Sequence, residues 1–125
     1  MVPAANSKVR YTLTEKHLIA YTAYVREWMD TLGLHGWEFD VKWSEENVRG
    51  SAEYNLRSRG VMFMLGRVWY QKPTRARLSE TALHECLHVL LAQFQVVCET
   101  HPHDGHDEKE SAEHAIINTI VPLIR

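Results

Sequence analysis

With 125 residues, 45% of them hydrophobic and 24% charged, the chain has the composition of a soluble globular domain and is too short for two ordinary ones. A formal net charge of −2 excludes a global electrostatic basis for binding nucleic acid or an anionic membrane. No apolar run approaches the length of a bilayer span, and the first residues lack the basic start and apolar core of a signal peptide, so a cytoplasmic location is expected.

Met1 to Arg10, with Pro3, Asn6 and Ser7 and no sustained periodicity, reads as a flexible leader to a single domain over 11–125. A first helix is expected from near Thr12 or Thr14, because Thr12 followed by Glu15 has the form of a capping box. Leu18, Tyr21, Val25, Trp28, Met29 and Leu32 then fall on one stripe, which is read as a core face, and Gly33 supplies the stop. After a turn at Leu34-His35-Gly36, residues Trp37 to Trp43 alternate between apolar and charged, the two-residue period of a strand with one wet face.

Ser44 to Gly50 is polar and loop-like, Ser51 to Arg57 alternates again through Ala52, Tyr54 and Leu56, and Ser58-Arg59-Gly60 turns the chain. Val61 to Tyr70 is apolar enough for a central strand that Gly66 bends or bulges. The short connections point to a mostly antiparallel sheet of three or four strands, and the order of elements to an α+β fold. Lys72, Arg75 and Arg77 form a basic connection, read as a solvated linker, before Ser79 caps a helix that runs to Val97.

In that helix Leu83, Leu87, Leu90, Leu91, Phe94 and Val97 recur at steps of three and four, with no Gly or Pro between Ser79 and Val97. Set among them are His84, Glu85 and His88. The two imidazoles leave one face a turn apart, the spacing that a single Zn²⁺ needs. Glu85 stands about 100° around the helix, near enough to meet a metal-bound water without ligating the ion. Left unpaired in an apolar segment, such groups cost roughly 2–7 kcal/mol each, and a metal ion relieves that cost. Cys86 and Cys98 lie about 18 Å apart along the helix axis, too far for a bridge, and Cys86 points away from the two histidines.

His84-Glu85-Cys86-Leu87-His88 resembles the H-E-x-x-H motif of the zincin metallopeptidases, and the resemblance covers roughly the second half of the chain. In size and layout the chain is similar to small single-domain metallopeptidase-like proteins of bacteriophage and prophage genomes. Leu91 and Phe94 stand where the metzincin branch has Gly and His, which excludes that branch. The gluzincin branch takes a third ligand from a glutamate on a following helix, here expected from about Asp107 to Val121 and stopped near Pro122. Glu113, on one face with Ile116, Ile117 and Ile120, is the first choice for that ligand. His114 competes with it, since SprT-like zincins use a third histidine, and Glu110 and the loop histidines His101, His103 and His106 stay open as well.

The resemblance implies hydrolysis of a peptide or protein substrate, with Glu85 as general base and an extended substrate lying along an edge strand near the metal. It also implies a donor for the developing oxyanion, for which His103, His106, Tyr54 and Tyr70 are the candidates. A zinc-binding interaction protein on the same framework, regulating a phage or host partner with little turnover, is the alternative. A metal-free module that contacts nucleic acid through the basic connection is a third reading.

Overall fold

The computed structural model describes residues 9–99 together with His114 and Ile117, and side chains through Ala92 and at those last two positions. Along the chain these residues form β1 (Tyr11–Thr12), α1 (Glu15–Thr31), β2 (Glu38–Ser44), β3 (Gly50–Asn55), β4 (Gly60–Gly66), β5 (Val68–Trp69) and α2 (Arg75–Glu99). The architecture is α+β, as the order of elements implies. The expected leader falls largely outside the described residues, and so does most of the expected C-terminal helix, of which His114 and Ile117 are seen to be helical.

β4 is the most apolar strand and takes the centre of a three-stranded sheet of order β2-β4-β3. Val61, Phe63 and Leu65 are buried on one of its faces, while Met62 and Met64 are half-buried on the other. β2 and β3, with charged residues on alternate positions, take the edges, where one face can stay wet. The sheet is mixed: β3 pairs with β4 antiparallel, and β2 pairs with β4 in parallel, Phe39 opposite Val61 and Val41 opposite Phe63.

The single run read from Val61 to Tyr70 is two strands. β5 leaves the main sheet and pairs with β1, Tyr11 opposite Trp69, in a short ladder that the sequence did not announce. Gly66 is the point of departure: its N–H donates to the Arg49 carbonyl at 2.9 Å, and a Cβ there would run into the Val48 carbonyl. The missing side chain thus lets the 44–50 loop lie directly on the strand end.

Both helices pack on this framework, with Tyr21, Val25 and Met29 of α1 and Leu78, Ala82, Cys86 and Val89 of α2 in one core with Phe63, Leu65 and Trp69. The Trp28 indole donates to Ser79 Oγ at 3.0 Å and ties the helices to each other. Helix α1 is capped by Thr14 rather than Thr12, which is in β1; the Thr14 N–H donates to His17 Nδ1 at 2.9 Å, so a histidine fills the place that a glutamate holds in the usual capping box. At its other end Gly33 adopts φ 75°, the Leu34 N–H reaches the Met29 carbonyl at 2.8 Å and the Gly33 N–H reaches Asp30, which is the Schellman stop.

Helix α2 starts a turn earlier than the Ser79 cap implies. Thr74 ends the connection: its Oγ1 accepts from the Arg77 N–H and its carbonyl from the Leu78 N–H, at 3.2 and 2.9 Å. Arg75 and Arg77 are therefore first-turn helix residues and not linker. Substituting Gly66 by Ala should lower the unfolding free energy by more than about 2 kcal/mol, because the obstruction is backbone that has no rotamer to yield with. Urea unfolding checks this, and an unchanged midpoint would mean that the 44–50 loop is not seated on β4.

Candidate metal centre

Residues of α2 advance about 100° each around the axis, and this sorts its side chains into neighbouring strips. Ala82, Cys86 and Val89 face the sheet core, while Leu83 and Leu87 form a second buried cluster with Ile117, to which Trp28, Leu32, Leu90 and Leu91 add. His84 and His88 occupy the strip beside the second cluster. Because Ile117 is held on Leu83 and Leu87, His114, one helical turn before it, is delivered to His84 and His88.

The three imidazoles converge. Ring centroids are 5.0 Å apart for His84 and His88, 4.6 Å for His88 and His114, and 5.9 Å for His84 and His114. One ring nitrogen from each lies within 4.8 Å of the others, with His84 and His88 half-buried and His114 exposed. Zinc–imidazole bonds of about 2.0–2.1 Å require ligand nitrogens somewhat closer than this, so an adjustment of about an ångström at side-chain torsions brings all three onto one ion. Neutral imidazole is the form that ligates. Burial, followed by the proximity of His88, His114 and Arg49, pushes His84 down to about 4 against the opposing pull of Glu80, so His84 is unprotonated at neutral pH.

Glu85 occupies the strip between the histidines and the sheet core and is 8% exposed. It lines, with His84, Glu80, Thr81, Arg49 and Gly50, a cavity of about 240 Å³ between α2 and the start of β3. Burial pushes its carboxyl up to about 7, where it gains and loses a proton near neutral pH. Beneath it the Cys86 thiol is raised well above the ordinary range, by burial first and then by Glu85, and is a packing group with its Sγ 3.8 Å from the Val25 carbonyl.

The tight approach of β3 to the helices comes from Gly50, where a Cβ would stand 2.9 Å from Thr81 Cγ2 and 3.2 Å from the Tyr21 hydroxyl oxygen. That hydroxyl is buried without a hydrogen-bond partner among the described residues, and burial, then Glu85 and Cys86, hold its proton on against the pull of Arg49. Arg49 stands at the rim, its Nη2 donating to Thr81 Oγ1 at 3.0 Å and its guanidinium 4.7 Å from the centre of a Trp69 ring.

The structure thus brings His84, Glu85 and His88 together as the spacing requires and adds His114. Glu113, His103 and His106 lie outside the described residues, as do Glu110 and His101. Tyr54 sits in β3 opposite Val61, Tyr70 follows β5 and is 43% exposed, and neither is among the described residues that line the cavity. Arg49, Gly50, Thr81 and Tyr21 were not legible as site residues. Arg49 and Gly50 close a polar loop, Thr81 opens the helix, and Tyr21 belongs to an ordinary core stripe, so no local pattern marks them.

Comparison with protein-family models, with curated proteins and with solved structures finds no match for this chain. The depressed His84 makes a prediction for the metal-free protein. Its folded state takes up a proton near pH 4 and its unfolded state near 6.5, so the contribution is fully present above 6.5 and is lost as pH falls through that window. Thermal melts with chelator between pH 7.5 and 4 should therefore fall more steeply for wild type than for His84→Gln, and equal slopes would mean that His84 is not held neutral by burial beside His88 and His114.

Proposed function

We propose that this chain is a zinc-dependent metallopeptidase in which His84, His88 and His114 hold the ion and Glu85 carries the proton. The observation that carries the reading is the convergence of three imidazoles next to a buried carboxylate that faces a cavity. Three protein ligands and one position left for water or substrate is the pattern of catalytic rather than structural zinc. The resemblance of His84-Glu85-Cys86-Leu87-His88 to the zincin motif supports the same reaction class. A bound zinc ion supplies Lewis-acid polarisation of a carbonyl and brings the pKa of a water near neutrality.

The chain's own part is proton management and alignment. Glu85, with its carboxyl balanced near pH 7, takes the proton of the attacking water as its nucleophilic oxygen bonds to the carbonyl carbon, then passes that proton to the departing amine nitrogen. One carboxylate thus acts first as base and then as acid, and no second titrating group is needed on that side of the cavity. A peptide is the fitting substrate because β3, paired only with β4 among the described residues, runs into the cavity at Gly50. An extended backbone laid along that edge passes beside Glu85 and His84.

Zinc titration of the full chain should give one equivalent bound, and His114→Ala should weaken binding at least tenfold, an effect of about 1.4 kcal/mol or more. Glu85→Gln should keep the zinc and lose on the order of 10²–10⁴ in peptide hydrolysis, the usual contribution of a positioned proton carrier. Hydrolysis by the Glu85→Gln protein at the wild-type rate, or zinc retained at full affinity without His114, would overturn the reading. Zinc bound with no turnover by either protein would point to a zinc-binding interaction protein instead.

A further inference from the structure

The wall of the cavity opposite Glu85 carries a cation that the proton chemistry does not use. Arg49 leads directly into β3 and is solvent-exposed, yet its guanidinium is not a loosely held surface charge. One edge is anchored by Thr81 Oγ1, whose own proton goes to the Arg77 carbonyl at 2.8 Å, so the hydroxyl is oriented to accept from Arg49. The group stands over a ring of Trp69, and the Trp69 indole N–H donates back to the Arg49 carbonyl at 3.2 Å. Side chain and backbone of Arg49 are therefore both tied to neighbours on α2 and β5.

Those ties leave most of the charge unanswered. Guanidinium offers five N–H donors in a planar fork, and Thr81 takes one of them. Among the described residues no carboxylate lies within ion-pair distance of Arg49. The acidic groups that share the cavity are Glu80, one turn before His84, and Glu85, and neither forms an ion pair with Arg49. Beside Arg49, Gly50 lets β3 lie close against Thr81 and Tyr21, and Arg49 and Gly50 together line the cavity.

From this we infer that Arg49 is a specificity residue that binds a carboxylate of the peptide substrate. The inference rests on the proposed peptidase reading and names the substrate class for that site: peptides bearing a carboxylate close to the bond that is cut. A planar fork held on a Trp ring and left with free N–H groups matches the two oxygens of a carboxylate, which a flexible ammonium does not match as well. An acidic side chain and a free C-terminal carboxylate present the same chemistry, and the test separates them.

The probes are three short peptides: acetyl-Ala-Glu-amide, acetyl-Ala-Gln-amide, and acetyl-Ala-Ala with a free C-terminal carboxylate. Each is titrated into the full chain, with zinc and again with chelator, while the Trp69 indole N–H resonance next to Arg49 is followed by NMR and the zinc content of each sample is measured. At least one carboxylate peptide should bind five- to tenfold more tightly than the Gln peptide. Which one it is identifies an acidic side chain or a chain end as the ligand. That preference should vanish in Arg49→Gln and survive, reduced, in Arg49→Lys, while zinc content is unchanged in both.

Equal affinity for all three peptides, no binding of any, or a preference that persists in Arg49→Gln would overturn the inference even if zinc binds and peptides are cut. Absence of zinc together with an Arg49-dependent preference would do the reverse, leaving the carboxylate subsite in place and removing the peptidase reading beneath it.

Discussion

Helix α2 must bury two faces at once, and the site follows from that constraint. Ala82, Cys86 and Val89 are committed to the sheet core, and Leu83 and Leu87 to the cluster with Ile117. Every residue of this segment that is not apolar is thereby confined to the remaining arc, and His84, Glu85 and His88 fill it. Buried Leu, Val and Ile side chains are worth about 1.5–3 kcal/mol apiece in transfer free energy, so the apolar contacts can hold three imidazoles close together before any ion arrives. Burial first, and then the neighbouring His88 and His114, depress His84.

The same packing decides how the polar groups divide the labour. His84 and His88 share a strip with access to His114, whereas Glu85, one step further round, is turned toward β3 and buried enough to raise its carboxyl. A pair of half-buried imidazoles and a buried carboxyl thus arise from neighbouring residues of one helix. Gly50 and Gly66 make this work from the sheet side. The first lets β3 come close to Thr81 and Tyr21, and the second lets the loop bearing Arg49 fold onto the end of β4. Without those two approaches the cavity would lack its cationic wall.

Sheet and helices also differ in how they read from sequence. Alternation in Trp37 to Trp43 and in Ser51 to Arg57 placed β2 and β3 within a residue or two, because an edge strand with one wet face has a two-residue signature. Partner and direction were not available from that signature: β2 lies parallel to β4, although β3 stands between them in sequence. Central position goes to the strand with the most apolar surface to bury, and the direction of β2 follows from where α1 leaves the chain, neither of which is a local property. The capping box read at Thr12 and the cap read at Ser79 were displaced for a similar cause. Several hydroxyl residues stand near each start, and tertiary contacts such as the β1 ladder and the Trp28–Ser79 bond decide which are free to cap.

For the site, one-dimensional spacing was enough to put His84 and His88 on a common face and Glu85 beside them, since a helix converts separation in sequence directly into direction. It also put His114 among the candidates for a third ligand, behind Glu113, on a helical segment with Ile117. Glu113, the first choice there, lies outside the described residues; His114 reaches the pair through the contact of Ile117 with Leu83 and Leu87, a packing relation across some thirty residues that no periodicity encodes. Arg49, Thr81 and Tyr21 were beyond reach for the same reason. Each belongs to a different element, and only the closure of β3 onto two helices makes them neighbours. Local sequence therefore determined the chemistry available on α2. The tertiary structure decided what that chemistry faces, because distance between elements is set by which apolar surfaces can be buried together.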